Sequence, residues 1–218
     1  MIMKKVCIFV ILLMILSGCT LSKNKETNVE DNSVGKIDVN KEYVNETLYK
    51  SYKLSNGEDY NAKYIDININ SDGVKVFNER LKNNIVNNTS IELKKNKIVK
   101  GNIITYEKYV SREFVTIIEK VDSYFEGSVV SSISNYYIFD IMYGKIYNNE
   151  SLLEYFHLEE EDLFNRLSKS DVDDIDYITM YVKNNGYYLY VDENGKLIME
   201  YVFVGDKGEE KNKLIIKD

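Results

Sequence analysis

The single histidine, His157, sets a tight bound on what this chain can catalyse. Imidazole clusters around a metal are impossible, and a Ser-His-Asp arrangement has only this residue to use. It stands in an apolar and acidic stretch with helical spacing, where a surface or capping role is the expected one. Thiol chemistry is as narrow, because the two cysteines, Cys7 and Cys19, both fall in the first 19 residues. No glycine-rich phosphate loop of Walker or dinucleotide type occurs, and the 11 glycines sit mostly in turn-like stretches. Carboxylates able to hydrolyse a glycoside are plentiful, but nothing in their spacing singles out a pair. No catalytic residue, cofactor or metal ligand is therefore assigned.

The carboxylates are concentrated. Glu150, Glu154, Glu159, Glu160, Glu161, Asp162, Asp171, Asp173, Asp174 and Asp176 face only Arg166 and Lys169 within one segment of a chain whose net charge is −7. One use for them is electrostatic, since acids in the first turn of a helix favour the positive end of its dipole. Another is docking: Glu159, Glu160, Glu161, Asp162, Asp171, Asp173, Asp174 and Asp176 would form an acidic face for a cationic partner. Calcium is a third, although Asp171 to Asp176 lacks the glycine and distal glutamate of an EF-hand loop. Nineteen tyrosines include the runs Tyr136-Tyr137 and Tyr187-Tyr188-Tyr190, which suit either strand packing or a stacking surface for cell-wall sugars or a protein partner. The acidic balance argues against nucleic acid or anionic lipid as partners.

The N-terminus addresses the chain. Lys4-Lys5, an apolar run from Val6 to Leu16 and Leu16-Ser17-Gly18-Cys19 have the layout of a signal peptide. The run is shorter than the ~20 residues a spanning helix needs. Leu-Ser-Gly-Cys resembles the bacterial lipobox, which makes Cys19 the lipidated first residue of the mature protein. Residues 1–18 are then removed, residues 19–42 are a lipidated tether, and residues 43–218 form one extracytoplasmic domain without thiols. Loss of Lys4 and Lys5 takes the net charge from −7 to −9. The absence of Pro, against a usual share of about 5%, and of Trp fits an AT-rich coding bias and removes proline-rich ligands and Trp sugar platforms.

Periodicity predicts the elements that carry these residues. Residues 46–54 and 60–69 read as a hairpin turning at Ser55-Asn56-Gly57. Val74, Phe77, Leu81 and Ile85, spaced 3, 4 and 4, predict an amphipathic helix capped at Ser71 or Asp72. Residues 103–109, 113–122 and 129–142 read as strands, residues 149–168 as two short helices broken near His157-Leu158, and residues 177–182, 187–191 and 196–204 as three strands joined at Asn-Gly turns. The expected fold is α+β, a largely antiparallel sheet with one long amphipathic helix and a short helical pair packed on it.

Five segments carry a family resemblance. They are Tyr64-Ile65-Asp66-Ile67-Asn68-Ile69-Asn70, Phe77-Asn78-Glu79-Arg80-Leu81-Lys82, the run from Tyr136-Tyr137 through Phe139-Asp140 to Gly144-Lys145, Leu152-Leu153-Glu154-Tyr155-Phe156, and Tyr190-Val191-Asp192-Glu193-Asn194-Gly195-Lys196-Leu197. In this order the chain resembles, over roughly residues 45–218, the extracytoplasmic domain family of the lysozyme-sensing anti-sigma factor RsiV, a domain also found beside peptidoglycan deacetylase domains and in clostridial proteins of unassigned function. The resemblance implies an α+β module that binds and does not catalyse, with lysozyme, a strongly basic protein, as the sensors' ligand. A chain that opens on a signal peptide is expected to lack the sigma-binding segment and the span that precede such domains. No contact residues of the family are carried over.

The expectation is a membrane-anchored surface lipoprotein acting as a non-catalytic binding module for lysozyme or another cationic extracellular protein. The alternative is an accessory or structural envelope protein contacting peptidoglycan or another membrane protein.

Overall fold

A computed structural model describes residues 41–54, 59–88, 91–95, 97–170, 172–205 and 208–217. All of them belong to one compact unit, 35–218. In chain order the elements are β1 (Val44–Lys53), β2 (Asp59–Ile67), α1 (Asp72–Asn88), β3 (Glu92–Lys94), β4 (Lys97–Val110), β5 (Phe114–Phe125), β6 (Ser128–Asp140), β7 (Ile146–Tyr147), α2 (Asn149–Tyr155), α3 (Glu160–Leu167), α4 (Ile175–Asn185), β8 (Tyr187–Val191), β9 (Leu197–Gly205) and β10 (Gly208–Lys217).

The strands form three antiparallel sheets: the hairpin β1-β2, the five-stranded β3-β4-β5-β6-β7, and β10-β9-β8. β5 is the centre of the molecule. Its residues Phe114 to Glu119 are buried without interruption, where a half-covered strand would alternate. Val115 and Ile117, with Phe139 of β6, face Ile65 and Ile67 of β2 and Val74, Phe77 and Leu81 of α1. Phe114 and Ile118, with Ile138, face the second core, built from α2, α3, α4 and the three-stranded sheet. Thr116 points the same way and donates its hydroxyl to the Val191 carbonyl at 2.8 Å, which satisfies a polar atom that has no access to water.

These findings correct the expected fold class. Among the described residues 52% are strand and 26% helix, and the helical residues are divided among four short helices, so no single long amphipathic helix organises the fold. α1 has 17 residues and buries Val74, Phe77, Leu81 and Ile85, the four spaced 3, 4 and 4. The helical pair is joined by a third helix, because residues 177–182 are the body of α4 and not a strand. Their Tyr, Ile and Thr content favours strand locally, but Ile178 and Val182, four apart, reach the second core only from a helix. Asn184-Asn185-Gly186 accordingly ends a helix: Gly186 has φ +96° and donates its N–H to the Val182 carbonyl at 2.8 Å. The turn at Ser55-Asn56-Gly57 lies outside the described residues.

Candidate functional site

The acidic segment does not fold into one face. Glu159, Glu160, Glu161 and Asp162 open α3, all exposed, and Asp162 Oδ2 accepts the Glu159 N–H at 2.8 Å. Asp173, Asp174 and Asp176 are exposed at the start of α4, and Asp171 lies outside the described residues. α3 and α4 pack together. Tyr187, just past the end of α4, donates its hydroxyl to Glu160 at 2.8 Å, whereas Tyr177, near the start of α4, reaches the Val204 carbonyl at 3.4 Å. The 11 residues of α4 therefore stand between the two acidic groups, a length of about 16 Å at the helical rise. Each group sits at its own helix N-terminus, where the dipole favours it. Among the described residues no group of three or more His, Cys, Asp or Glu is placed to hold a metal ion. His157 is exposed, with φ +54°, in the break between α2 and α3. Cys19 lies outside the described residues. No helix of the described residues is long and apolar enough to cross a membrane.

Part of the tyrosine runs, by contrast, converges: Tyr136 meets Tyr188. β7 pairs only with Ile138 and Phe139 of β6, so among the described residues the outer edge of β6 from Ser128 to Tyr137 has no strand partner. An open cleft of about 710 Å³ follows that edge between β6 and β8, and the rings of Tyr136, Tyr147, Tyr187 and Tyr188 stand beside it, whereas Tyr137 turns its ring to the opposite face of the sheet, against Phe77 and Arg80 of α1. Tyr188, 49% exposed, stacks on Tyr136 with ring centroids 4.5 Å apart and planes 14° from parallel. Glu150 lines the cleft, and no lysine or arginine does.

Two buried carboxylates, one on each face of the sheet, hold Tyr136 and Tyr137 in place. Glu200 on β9, 1% exposed, accepts the Tyr136 hydroxyl and pairs with Lys211 at 2.5 Å and Lys213 at 3.7 Å. Glu119 on β5, 2% exposed, accepts the Tyr137 hydroxyl at 3.3 Å and the Asn135 amide at 3.1 Å. Burial, with the Glu119 charge beside it, pushes the Tyr137 hydroxyl up to about 12. Burial raises the Tyr187 hydroxyl as well, and its bond to Glu160 adds to the effect. Tyr137 and Tyr187 therefore stay neutral donors at physiological pH.

No family model matches the chain, and no curated protein matches it.

The site is therefore defined by its own geometry. A free strand edge offers backbone N–H and C=O groups in register for an added strand. Fixed tyrosine faces beside it offer cation–π contacts, and the only formal charge on the walls is negative. Glu119 and Glu200 were missed by sequence reading, although a glutamate inside Val-Thr-Ile-Ile-Glu-Lys-Val and inside Leu-Ile-Met-Glu-Tyr-Val is a legible signal. A carboxylate in a buried strand must have partners to remain there.

Proposed function

We propose that this chain is a membrane-anchored surface lipoprotein, tethered through lipidated Cys19, whose domain binds a basic extracellular protein without catalysing a reaction on it. The β6 cleft is the binding site, and an extended basic segment of the ligand pairs with the strand edge. The observation that supports this reading is the coincidence of a free, uncharged edge from Ser128 to Tyr137 with walls of four tyrosines and Glu150 and no cation. Lysozyme is the leading ligand, supported by the sequence resemblance and by the chain's net charge of −7. Tyrosine and arginine are the residue types that dominate interface energetics, so Tyr188 is the expected hot spot.

Calorimetric titration of the whole chain in detergent with hen lysozyme, at low and moderate salt, tests this. Binding should weaken at least tenfold in Tyr188→Ala and several-fold in Glu150→Gln, while the triple change of Glu159, Glu160 and Glu161 to Gln alters it less. Absence of binding at low salt sinks the lysozyme assignment. Loss confined to the triple variant moves the site to the start of α3.

A further inference from the structure

Among the described residues, three strand edges are closed by a side chain that takes backbone groups in place of a neighbouring strand. The Asn78 amide accepts the Ile67 N–H and donates to the Ile67 carbonyl, both at 2.9 Å. The Tyr60 hydroxyl does the same at Ile104, both at 3.1 Å. The Asn149 amide donates to the Tyr187 carbonyl at 3.1 Å and accepts the Leu189 N–H at 3.0 Å. β10, the outer strand of its sheet, instead carries charge at Glu209, Glu210, Lys211, Lys213 and Lys217. Caps and charges of this kind keep an edge from pairing with another chain. Ser128 to Tyr137 has neither among the described residues, so the edge assigned to the ligand is one that the fold leaves unguarded.

A strand added there turns alternate side chains to opposite faces of the sheet, and the two faces differ. On the β8 face it meets Tyr188 and Glu150, in a cleft that no lysine or arginine lines. Toward the β5-β6 hairpin, Lys120 and Lys211 on that face are already paired, with Asp122 at 3.1 Å and Glu200 at 2.5 Å. On the α1 face it meets Arg80, exposed, whose guanidinium carbon lies 4.8 Å from the Tyr137 centroid and 5.0 Å from that of Phe77. The carboxylate of that face, Glu119, is buried and held by Tyr137 and Asn135. The Tyr137 ring thus already has its cation, and a second one brought beside it would meet like charge at close range. We infer that the β6 site reads alternation: it takes an extended segment whose cationic side chains fall on every second residue, toward β8, with uncharged or acidic residues between them, toward Arg80. The inference rests on the proposed ligand site and narrows its ligand from basic segments in general to one strand pattern.

Two end-capped peptides of equal lysine and serine content test it, one alternating the two residues and one with its lysines in a single block. Each carries a dye, and its binding to the whole chain in detergent is followed by fluorescence anisotropy at low salt. The alternating peptide is expected to bind at least about fivefold tighter than the block, because it alone can keep every ammonium off the Arg80 face. Arg80→Gln should tighten the block peptide and bring the two within about twofold, and Glu150→Gln should weaken the alternating peptide several-fold. Thermal midpoints check the folding of both variants, and the comparison of the two peptides on the unaltered chain depends on neither. Equal affinities on the unaltered chain, or a preference that survives Arg80→Gln undiminished, overturn the inference; the β6 site itself stands if Tyr188→Ala weakens both peptides. Binding of neither peptide also overturns the inference, and the lysozyme titration then decides the β6 reading separately.

Discussion

At Gly144 two demands fall on one residue. Its φ of +65° belongs to the left-handed region, and a Cβ placed there would come within 2.6 Å of Ser71 Cβ and 3.0 Å of Val74 Cγ2. The β6-β7 turn thus touches the start of α1 through a missing side chain. Gly186 carries only the first demand, with φ +96° and open space where a Cβ would go. Gly144→Ala should therefore cost about 2–4 kcal/mol, a left-handed penalty plus overpacking, against about 1 kcal/mol for Gly186→Ala. Urea titration of both variants measures the difference, and equal losses would refute the packing component. Among the site residues, the tyrosine pairs were visible in the sequence as pairs. The meeting of Tyr136 with Tyr188 was not, because it depends on β8 and β9 packing beside β6, where Glu200 of β9 accepts the Tyr136 hydroxyl.

Among the elements, the β1-β2 hairpin adds to its apolar packing an ionic link to the central sheet through one carboxylate. Glu46 bonds Lys63 of β2 and Lys108 of β4, each at 2.8 Å, and those bonds hold its carboxyl at about 2, below the usual 4.5. A depressed carboxyl stabilises the fold above its unfolded value and loses that contribution as pH falls through the folded one. Wild type should lose stability between pH 4.5 and 2 more steeply than Glu46→Gln, as read from thermal midpoints across that range. Indistinguishable profiles would mean that water screens the pair. Elements with one strong local period were legible: α1 came from its apolar spacing, and the β8-β9 hairpin from Asn194-Gly195. α4 was not, since its strand-like composition is overruled by Ile178 and Val182 packing on β9 and its neighbours. β10 went unread because Gly208 to Lys217 alternates charge with few apolar residues, and only Ile216 reaches the core fully. The acidic segment was legible as a run, but the antiparallel course of α3 and α4 that divides it is a tertiary fact.

At the scale of the whole molecule, β5 is the common wall of two cores. Leu81 lies in the core under α1 and Leu189 in the core under β8, and both are inaccessible to water. Leu81→Ala and Leu189→Ala should each cost about 2–5 kcal/mol and move the same single unfolding transition. Hydrogen exchange of α1 and α4 amides checks this, and two transitions that separate in either variant would show that the cores unfold independently. The shared wall also bears on how the chain is made. A polypeptide synthesised from its N-terminus presents β1 to β7 first, and these can already close the α1 side of β5. The other side, with Phe114, Thr116 and Ile118, stays wet until Val191 and Ile216 arrive. The vulnerable interval of biogenesis therefore lasts until the final strand, with Ile216, emerges.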